Sequence, residues 1–216
     1  MPAPRKFTHE QLRAAALALV DQHGLAGLTM RSLAAELGTG AMTIYNYVDG
    51  REGLEHLVTE AVTSEARWTI EPDAGWGQEV TAIAEGFWRA VRAHPHAIPL
   101  ILTRRSVDET TLVPTEALLR ALARSGRSGG ELLVAFRAVS AFVIGFAQAE
   151  LTGPLSTERG DDLTSITDRI AVLPSDRFAK LIEISRAARD SDPETEFRAG
   201  LDIVLAGLGW QPGQRP

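Results

Sequence analysis

The sequence predicts an all-α fold, built from a small N-terminal group of three helices and a larger helical body. Apolar residues recur at spacings of three and four along most of the 216 residues, which is the period of amphipathic helices. No stretch shows the strict alternation of a half-buried strand, and no internal repeat is visible. Near the N terminus, two short helical segments are separated only by the turn 38–40, which sets the N-terminal group apart.

The composition is that of an ordinary globular protein. Hydrophobic residues make up 44% and charged residues 23%, and the absence of cysteine excludes disulfide and thiolate chemistry. No apolar run approaches a membrane span and the start MPAPRKF lacks a signal-peptide core, so we expect a cytoplasmic protein without a membrane partner. The net charge of −6 argues against nonspecific nucleic-acid binding by the whole surface, but residues 1–51 carry a net +1.

Two capping-box spacings mark the beginnings of longer helices. The segment Thr8–Gln11 predicts a first helix over 8–23, which Gly24 closes. The segment Asp49–Glu52 repeats the spacing and predicts a connector helix over 51–70. These two helices flank the short pair.

The short pair has the spacing of a helix-turn-helix. Thr29 is a good N-cap for its first helix, and Gly38 stands where helices commonly end in a left-handed residue. Gly40 precedes the second helix, predicted over 41–47. The second helix of such a motif can enter the major groove of DNA, although an ordinary αα-hairpin has the same spacing. The apolar sides carry Leu33, Ala34, Leu37, Met42, Ile44, Tyr45 and Val48.

The body is predicted to begin after the break at 71–75 and to be helical to its end. Asp192 followed by Pro193 indicates an N-cap and first turn for the last helix. The segment 152–162 is rich in Gly, Pro, Ser and Thr, which favours a loop. The other predicted helices cover 76–93, 98–102, 115–123, 131–151 and 178–189.

The segment AGLTMRSLAAELGTGAMTIYNYVDGREGL resembles the N-terminal domain of the TetR family of bacterial transcriptional regulators, and the layout of the chain is similar to its tetracycline-repressor branch. The resemblance implies a helix-turn-helix DNA-binding domain over 1–50, the connector over 51–70, and a ligand-binding and dimerisation domain over 71–216. The residues that carry it are Leu12, Ala15, Ala16, Leu19, Gly24, Thr29, Arg31, Leu33, Ala34, Gly38, Thr43, Tyr45, Tyr47, Arg51 and Leu54.

By this resemblance the segment 41–47 is the recognition helix. Ala41 and Met42 suit apolar contacts with thymine methyl groups, and the amide of Asn46 can pair with adenine. Hydroxyl and guanidinium groups in the same region suit phosphate contacts, which position the protein without specifying sequence. The predicted DNA-binding residues are Thr29, Arg31, Ala41, Met42, Thr43, Tyr45, Asn46, Tyr47 and Arg51.

Dimerisation is expected along the 131–151 helix and the last helix, because in the family these helices of two subunits form a four-helix interface. Small residues along one stripe of the longer helix allow helix backbones to approach closely. A purely intramolecular bundle is the alternative. The predicted interface residues are Ala138, Ala141, Gly145, Ala149, Leu201 and Leu205.

An effector pocket is expected beneath the connector. An apolar lining and an acidic body favour a neutral or cationic hydrophobic molecule, whereas Arg104 and Arg105 favour an acid. Tetracycline repressors hold a drug-chelated metal through a histidine and an acidic residue, but Ile101 and Ala149 stand at those positions, so we expect no metal and no cofactor. The predicted lining is Trp68, Phe87, Trp88, Leu102, Arg104, Phe136, Ile144 and Gln148.

The expected function is therefore that of a ligand-responsive homodimeric regulator, a repressor released from a palindromic double-stranded DNA operator by a small hydrophobic effector. A helical small-molecule-binding or interaction protein without DNA affinity is an alternative, which the weak +1 of residues 1–51 keeps open. An all-helical enzyme is a further alternative, but the five histidines are scattered along the chain and no catalytic cluster is evident.

Overall fold

A computed structural model describes residues 6–103, 109–152 and 161–210, and the described residues form α-helices joined by turns, with no strand among them. The all-α prediction is confirmed. Short 3₁₀ turns lie at Pro95–Ala97 and Ala188–Asp190. The helices are α1 His9–Gly27, α2 Met30–Glu36, α3 Ala41–Ile44, α4 Gly50–Glu65, α5 Trp76–Ala93, α6 Ile98–Thr103, α7 Glu109–Ala123, α8 Gly129–Thr152, α9 Asp161–Ala171, α10 Ser175–Ala187 and α11 Pro193–Gly207.

The chain divides into two compact units. The N-terminal unit comprises residues 1–69 and 86–120, and the C-terminal unit comprises residues 70–85 and 121–216. The first change of unit coincides with the predicted end of the connector. The segment 86–120, which the sequence analysis assigned to the body, clusters instead with the N-terminal helices, because α1 and α4 contact the turn Pro95–Ala97 and α4 also contacts α6.

Two of the three predicted N-caps in the N-terminal unit form as expected. Thr8 accepts a hydrogen bond from the Gln11 backbone N–H at 3.1 Å, and the Gln11 side chain accepts one from the Thr8 N–H at 2.9 Å. Thr29 caps α2 in the same way, with Ser32 as its partner. Asp49 precedes α4, but its side chain makes no capping hydrogen bond, so the predicted box with Glu52 is wrong.

The loop glycines of the N-terminal unit adopt the backbone conformations that their positions require. Gly24 interrupts α1 with a φ of 65°, and the chain continues in a further turn to Gly27 before α2 begins. Gly38 has a φ of 62°, which confirms the predicted left-handed end of α2. A side chain at either position would strain the backbone.

The C-terminal unit is built on the contact between α8 and α11. The ring of Phe197 on α11 lies 5.4 Å from the rings of both Phe142 and Phe146 on α8, and this cluster fills the space between the two helices. Gly200 lets them approach, since a Cβ atom there would lie 2.7 Å from the Phe142 ring. Asp192 caps α11 by accepting from the Thr195 N–H at 2.9 Å, as predicted.

Two sequence expectations in this unit are wrong. Residues 153–160 of the loop expected over 152–162 lie outside the described residues, but Thr152 belongs to α8, and α9, which was not predicted, begins at Asp161. The expectation that no segment has the length of a membrane span is also wrong. By length and composition alone, Gly129–Leu151 of α8 is long and apolar enough to cross a membrane. Only 22% of that segment is buried within the single chain, and its exposed side is rich in alanine and glycine.

Candidate DNA-binding surface

The segment that follows the turn between α2 and α3 begins with α3, and its apolar residues point into the N-terminal unit. Ile44 is fully buried and Val48 is nearly so, and these two residues fix α3 against the rest of the N-terminal unit. The α-helix covers only Ala41–Ile44, so the predicted helix over 41–47 is too long. The chain continues in tight turns, with the Asn46 N–H donating to the Thr43 carbonyl at 3.2 Å.

The opposite side of this segment faces solvent. Met42 is 77% exposed and Tyr45 is 55% exposed, so both side chains are accessible to another molecule. Asn46 is exposed beside them, and Arg31 is exposed on α2. Ala41, Thr43 and Tyr47 are half-buried. The segment therefore offers apolar, amide and guanidinium groups on a surface free for a large ligand.

Thr29 has a role inside the fold. Its hydroxyl accepts from the Ser32 N–H at 3.0 Å, and the Ser32 hydroxyl lies 2.9 Å from the Thr29 nitrogen. The Ser32 hydroxyl also donates to the carbonyl of Gly27 at 2.6 Å, which closes the turn between α1 and α2. Thr29 thus caps and orients the N terminus of α2, and its contact with a phosphate stays a prediction.

The prediction that Arg51 contacts DNA is not supported by its geometry. Its Nε donates to Glu55 at 2.7 Å, Nη1 donates to the carbonyl of Leu28 at 2.7 Å, and Nη2 donates to the carbonyl of Leu25 at 2.9 Å. The Leu25 carbonyl also accepts from the Leu28 N–H at 3.4 Å, and a guanidinium fork can donate to two carbonyls at a helix end at once. Arg51 is a structural link between α4 and the end of α1.

Tyr47 contacts the segment that precedes α1. Its hydroxyl accepts from the backbone N–H of Phe7 at 3.1 Å, and the two rings meet edge to face with centroids 6.2 Å apart. The Lys6 ammonium lies 5.2 Å from the centroid of the Phe7 ring. This contact was not predicted, although Phe7 lies directly before the N-cap Thr8.

Small residues dominate the exposed side of α8. The predicted interface residues Ala138, Ala141, Gly145 and Ala149 are all exposed in the single chain, and a Cβ atom at Gly145 would meet nothing within 4 Å. The prediction is wrong for Leu201 and Leu205, because both are completely buried within the chain. On α11 the large apolar side chain that is exposed is instead that of Ile203, at 75%.

A cavity of about 460 Å³ opens in the N-terminal unit where α4 ends. Trp68, one of the residues predicted to contact an effector, is half-buried and lines this cavity. Gly86 of α5 passes so close to the Arg67 carbonyl that no Cβ atom would fit between them. The lining residues are Thr63, Ser64, Ala66, Arg67, Trp68, Glu109, Val113 and Pro114.

The other predicted effector residues have different surroundings. Trp88 is 1% exposed and is a core residue, with the Arg92 guanidinium over its ring, so it is not a cavity wall. Phe87 is half-buried and Leu102 is exposed, and neither lines this cavity. Three further candidates, Phe136, Ile144 and Gln148, lie on α8 in the C-terminal unit, and Arg104 lies outside the described residues.

A short helix pair with buried anchors, an exposed recognition segment and a helical body defines a helix-turn-helix DNA-binding protein. The family described as bacterial regulatory proteins of the tetR family matches residues 12–56, and the tetracyclin repressor-like C-terminal domain matches residues 70–211. The chain belongs to the TetR family, and its function is that of a DNA-binding transcriptional regulator, not an enzyme. The resemblance found in the sequence is confirmed, including its tetracycline-repressor character.

Similar proteins cover nearly the whole chain. An HTH-type transcriptional regulator of Saccharopolyspora erythraea is 28% identical over 96% of this chain and 86% of its own length. The HTH-type transcriptional repressor DrrR1 of Streptomyces coeruleorubidus is 28% identical over 97% of this chain and 80% of its own. The structure of ActR from Streptomyces coelicolor in complex with actinorhodin is 25% identical, with a TM-score of 0.78 over 96% of this chain and 99% of that one.

Proposed function

We propose that two copies of the chain bind a two-fold symmetric operator and that a small-molecule effector releases them from it in the bacterial cytoplasm. The observation that carries the DNA-binding step is the exposure of Met42, Tyr45 and Asn46 beside the buried anchor Ile44. Met42 supplies an apolar contact for thymine methyl groups, and Asn46 supplies the amide that pairs with adenine. Arg31, exposed on α2, supplies a phosphate contact.

The composition of the exposed side of α8 supports the proposed pairing of two copies. Alanine and glycine side chains allow two helix backbones to approach, and the exposed Ile203 on α11 adds apolar surface that water would otherwise cover. A two-fold dimer places two recognition segments on half-sites about one helical turn, or a multiple, apart.

The cavity at the end of α4 supports effector binding. Its lining combines the ring of Trp68 with Val113 and Pro114, and adds one charge of each sign from Arg67 and Glu109. Such a lining suits a hydrophobic molecule held by few polar groups. A relative was solved with actinorhodin bound, which favours an effector in this chain too. A ligand that binds better to a dimer whose two recognition segments are no longer spaced for the operator weakens operator binding. The operator then weakens ligand binding by the same factor.

Genome-wide recovery of DNA bound to the full-length protein tests the first step, because it yields the operator and the regulated genes together. Binding to the recovered fragment is then measured over a range of salt concentrations for the wild type and for the double variant Met42→Ala, Asn46→Ala. We expect selective, salt-dependent binding that the variant loses. Absence of selective DNA recovery would favour a helical binding protein without DNA affinity.

Release by candidate effectors tests the second step. A panel of hydrophobic compounds, neutral, cationic and acidic, is added to the complex of protein and operator. Trp68→Ala is the diagnostic variant, and Leu102→Ala, exposed and outside the cavity lining, is its matched control. A compound that releases the wild type and the control, but not Trp68→Ala, supports the cavity. Equal release of all three proteins would place the effector elsewhere.

A further inference from the structure

His94 bridges two helices of the N-terminal unit from the end of α5. Its Nδ1 lies 2.9 Å from one carboxylate oxygen of Asp21 on α1 and 3.0 Å from the other. Its Nε2 lies 2.8 Å from the carboxylate of Glu65, the last residue of α4. The His94 side chain is only 12% exposed. One imidazole therefore holds the first helix of the DNA-binding domain and the end of the connector at the same point.

Only a protonated imidazole can donate hydrogen bonds to both carboxylates. A neutral ring has one N–H, and its other nitrogen presents a lone pair, which would face a carboxylate at hydrogen-bond distance. The arrangement is thus complete when the ring carries its second proton.

The pKa of His94 reflects this competition. Burial of the ring lowers its pKa, but the hydrogen bonds to Glu65 and Asp21, together with their negative charges, outweigh burial and raise the pKa above its usual 6.5. A histidine whose pKa is raised in the folded state contributes stability that is complete below its unfolded pKa. That stability disappears as the pH rises through the folded pKa.

Other titratable groups near this junction have separate contacts. His96 Nδ1 lies 3.2 Å from the backbone carbonyl oxygens of Val20 and Asp21. His9 contacts Glu60 at 2.6 Å, through a pair that joins α1 and α4 at another point. The Arg92 guanidinium lies 5.7 Å from the centroid of the Trp88 ring. Among the groups that the structure describes here, Asp21 and Glu65 are the carboxylates in contact with the His94 ring.

We propose that His94 is a positioning residue for operator binding, which clamps α1 to the end of α4 through Asp21 and Glu65. The inference rests on the proposed operator binding. A DNA-binding domain that is already held in one arrangement loses less conformational freedom when it meets DNA, so it binds more tightly. Loss of the imidazolium opens one arm of the clamp. Operator affinity therefore falls as the pH rises through the His94 pKa, and operator binding above that pKa takes up at most one proton per protomer.

The test compares pH profiles of operator affinity for the full-length wild type and for His94→Gln. Binding to the recovered operator fragment is measured at constant ionic strength from about pH 5.5 to about pH 8.5, which spans histidine titration. We expect the wild-type affinity to fall by about fivefold or more, as for a typical coupling between sites. His94→Gln binds more weakly than the wild type at the acid end and changes little with pH. Parallel profiles, or a wild-type affinity that rises with pH, would overturn the proposal.

Two further variants show whether a change in the pH profile of operator affinity comes from loss of the clamp or from substitution in general. Glu65→Gln keeps a hydrogen-bonding side chain but removes the charge, and we expect it to flatten the profile as His94→Gln does. His23→Gln changes an exposed histidine on the same helix as Asp21, and we expect it to keep the wild-type profile. A flattened profile in His23→Gln, or a wild-type profile in Glu65→Gln, would count against the clamp.

Thermal unfolding without DNA distinguishes failure of this inference from failure of the proposed function. The Tm of His94→Gln should lie furthest below that of the wild type at the acid end, and the two should converge at the alkaline end. A protein that binds no operator at any pH, yet shows this convergence, would refute the proposed function and operator positioning while retaining the clamp. A constant Tm difference would refute the clamp itself.

Discussion

Arg51 Nη1 donates a hydrogen bond to the carbonyl oxygen of Leu28 over 2.7 Å, and this bond ties the first turn of α4 to the segment that leads into α2. The same guanidinium reaches the carbonyl of Leu25 and the carboxylate of Glu55. Leu28 is completely buried, so its backbone is held both by the packing of its side chain and by the hydrogen bond from Arg51. The basic side chain that family resemblance assigns to DNA is, in this geometry, part of the scaffold that orients the recognition segment.

Arg51→Ala is therefore expected to act mainly on stability. Loss of hydrogen bonds from a charged donor should lower the free energy of unfolding by about 2 kcal/mol, measured by urea denaturation. Arg31→Ala is the matched control, because Arg31 is exposed on α2. It should leave stability unchanged but weaken binding to all DNA sequences and reduce the salt dependence by about one phosphate contact per subunit. The reverse pattern would restore Arg51 as a phosphate contact.

Asn46→Ala should change sequence preference rather than stability, since Asn46 is exposed on the recognition segment. Loss of an amide pair with adenine should cost about 1–3 kcal/mol at one base pair of each half-site. Binding of the variant to a library of operators with single base-pair changes measures this. Gln22→Ala, an exposed amide on α1, is the control and should behave as the wild type. An unchanged preference in Asn46→Ala would remove this residue from the base-reading set.

Tyr47→Phe tests whether the Tyr47 hydroxyl holds the segment before α1. The substitution removes the acceptor of the Phe7 N–H and leaves the ring contact, so it should cost about 1 kcal/mol of stability. It should also speed cleavage by trypsin after Lys6, because the released backbone samples open conformations more often. Tyr45→Phe removes a hydroxyl from the exposed tyrosine and should leave cleavage unchanged. Equal cleavage of the two variants would show that the hydrogen bond does not secure this segment.

Local signals in the sequence predicted the helices well where one residue determines the geometry. Thr8, Thr29 and Asp192 cap the helices they were expected to cap, and Gly38 adopts the expected left-handed conformation. These features depend on hydrogen bonds within three residues or on the freedom of a single backbone position. The Asp49 cap was wrong because sequence spacing does not show whether the carboxylate reaches the backbone N–H groups of the first turn.

The roles of side chains in the candidate sites were harder to predict because they depend on contacts across the fold. Arg51 contacts carbonyls that lie 23 and 26 positions away, and His94 meets Asp21 across 73 positions. Periodicity showed that Leu201 and Leu205 lie on the apolar side of α11, but not that this side is covered by the chain itself. An apolar stripe indicates burial, and the partner that buries it is known only from the tertiary structure.

A pair of glycine variants tests the dimer interface, since Gly145 and Gly200 differ in what surrounds them. A Cβ atom at Gly145 meets nothing within 4 Å in the single chain, so Gly145→Leu should leave the fold of each chain intact. If the exposed side of α8 packs against a second copy, the leucine enters that contact, and overpacking of about 1–3 kcal/mol should shift the equilibrium towards monomers. Sedimentation equilibrium measures this shift, with circular dichroism as a check on folding.

Gly200→Ala provides the contrast. Its Cβ atom would lie 2.7 Å from the Phe142 ring, so this variant should lower the thermal stability of the chain by disturbing the contact between α8 and α11. A folded, monomeric Gly145→Leu beside a destabilised Gly200→Ala would separate the surface that a second copy covers from the surface that the chain covers itself. If Gly145→Leu remains a dimer as stable as the wild type, the small residues of α8 lie outside the interface, and the exposed Ile203 side of α11 becomes the surface to alter next.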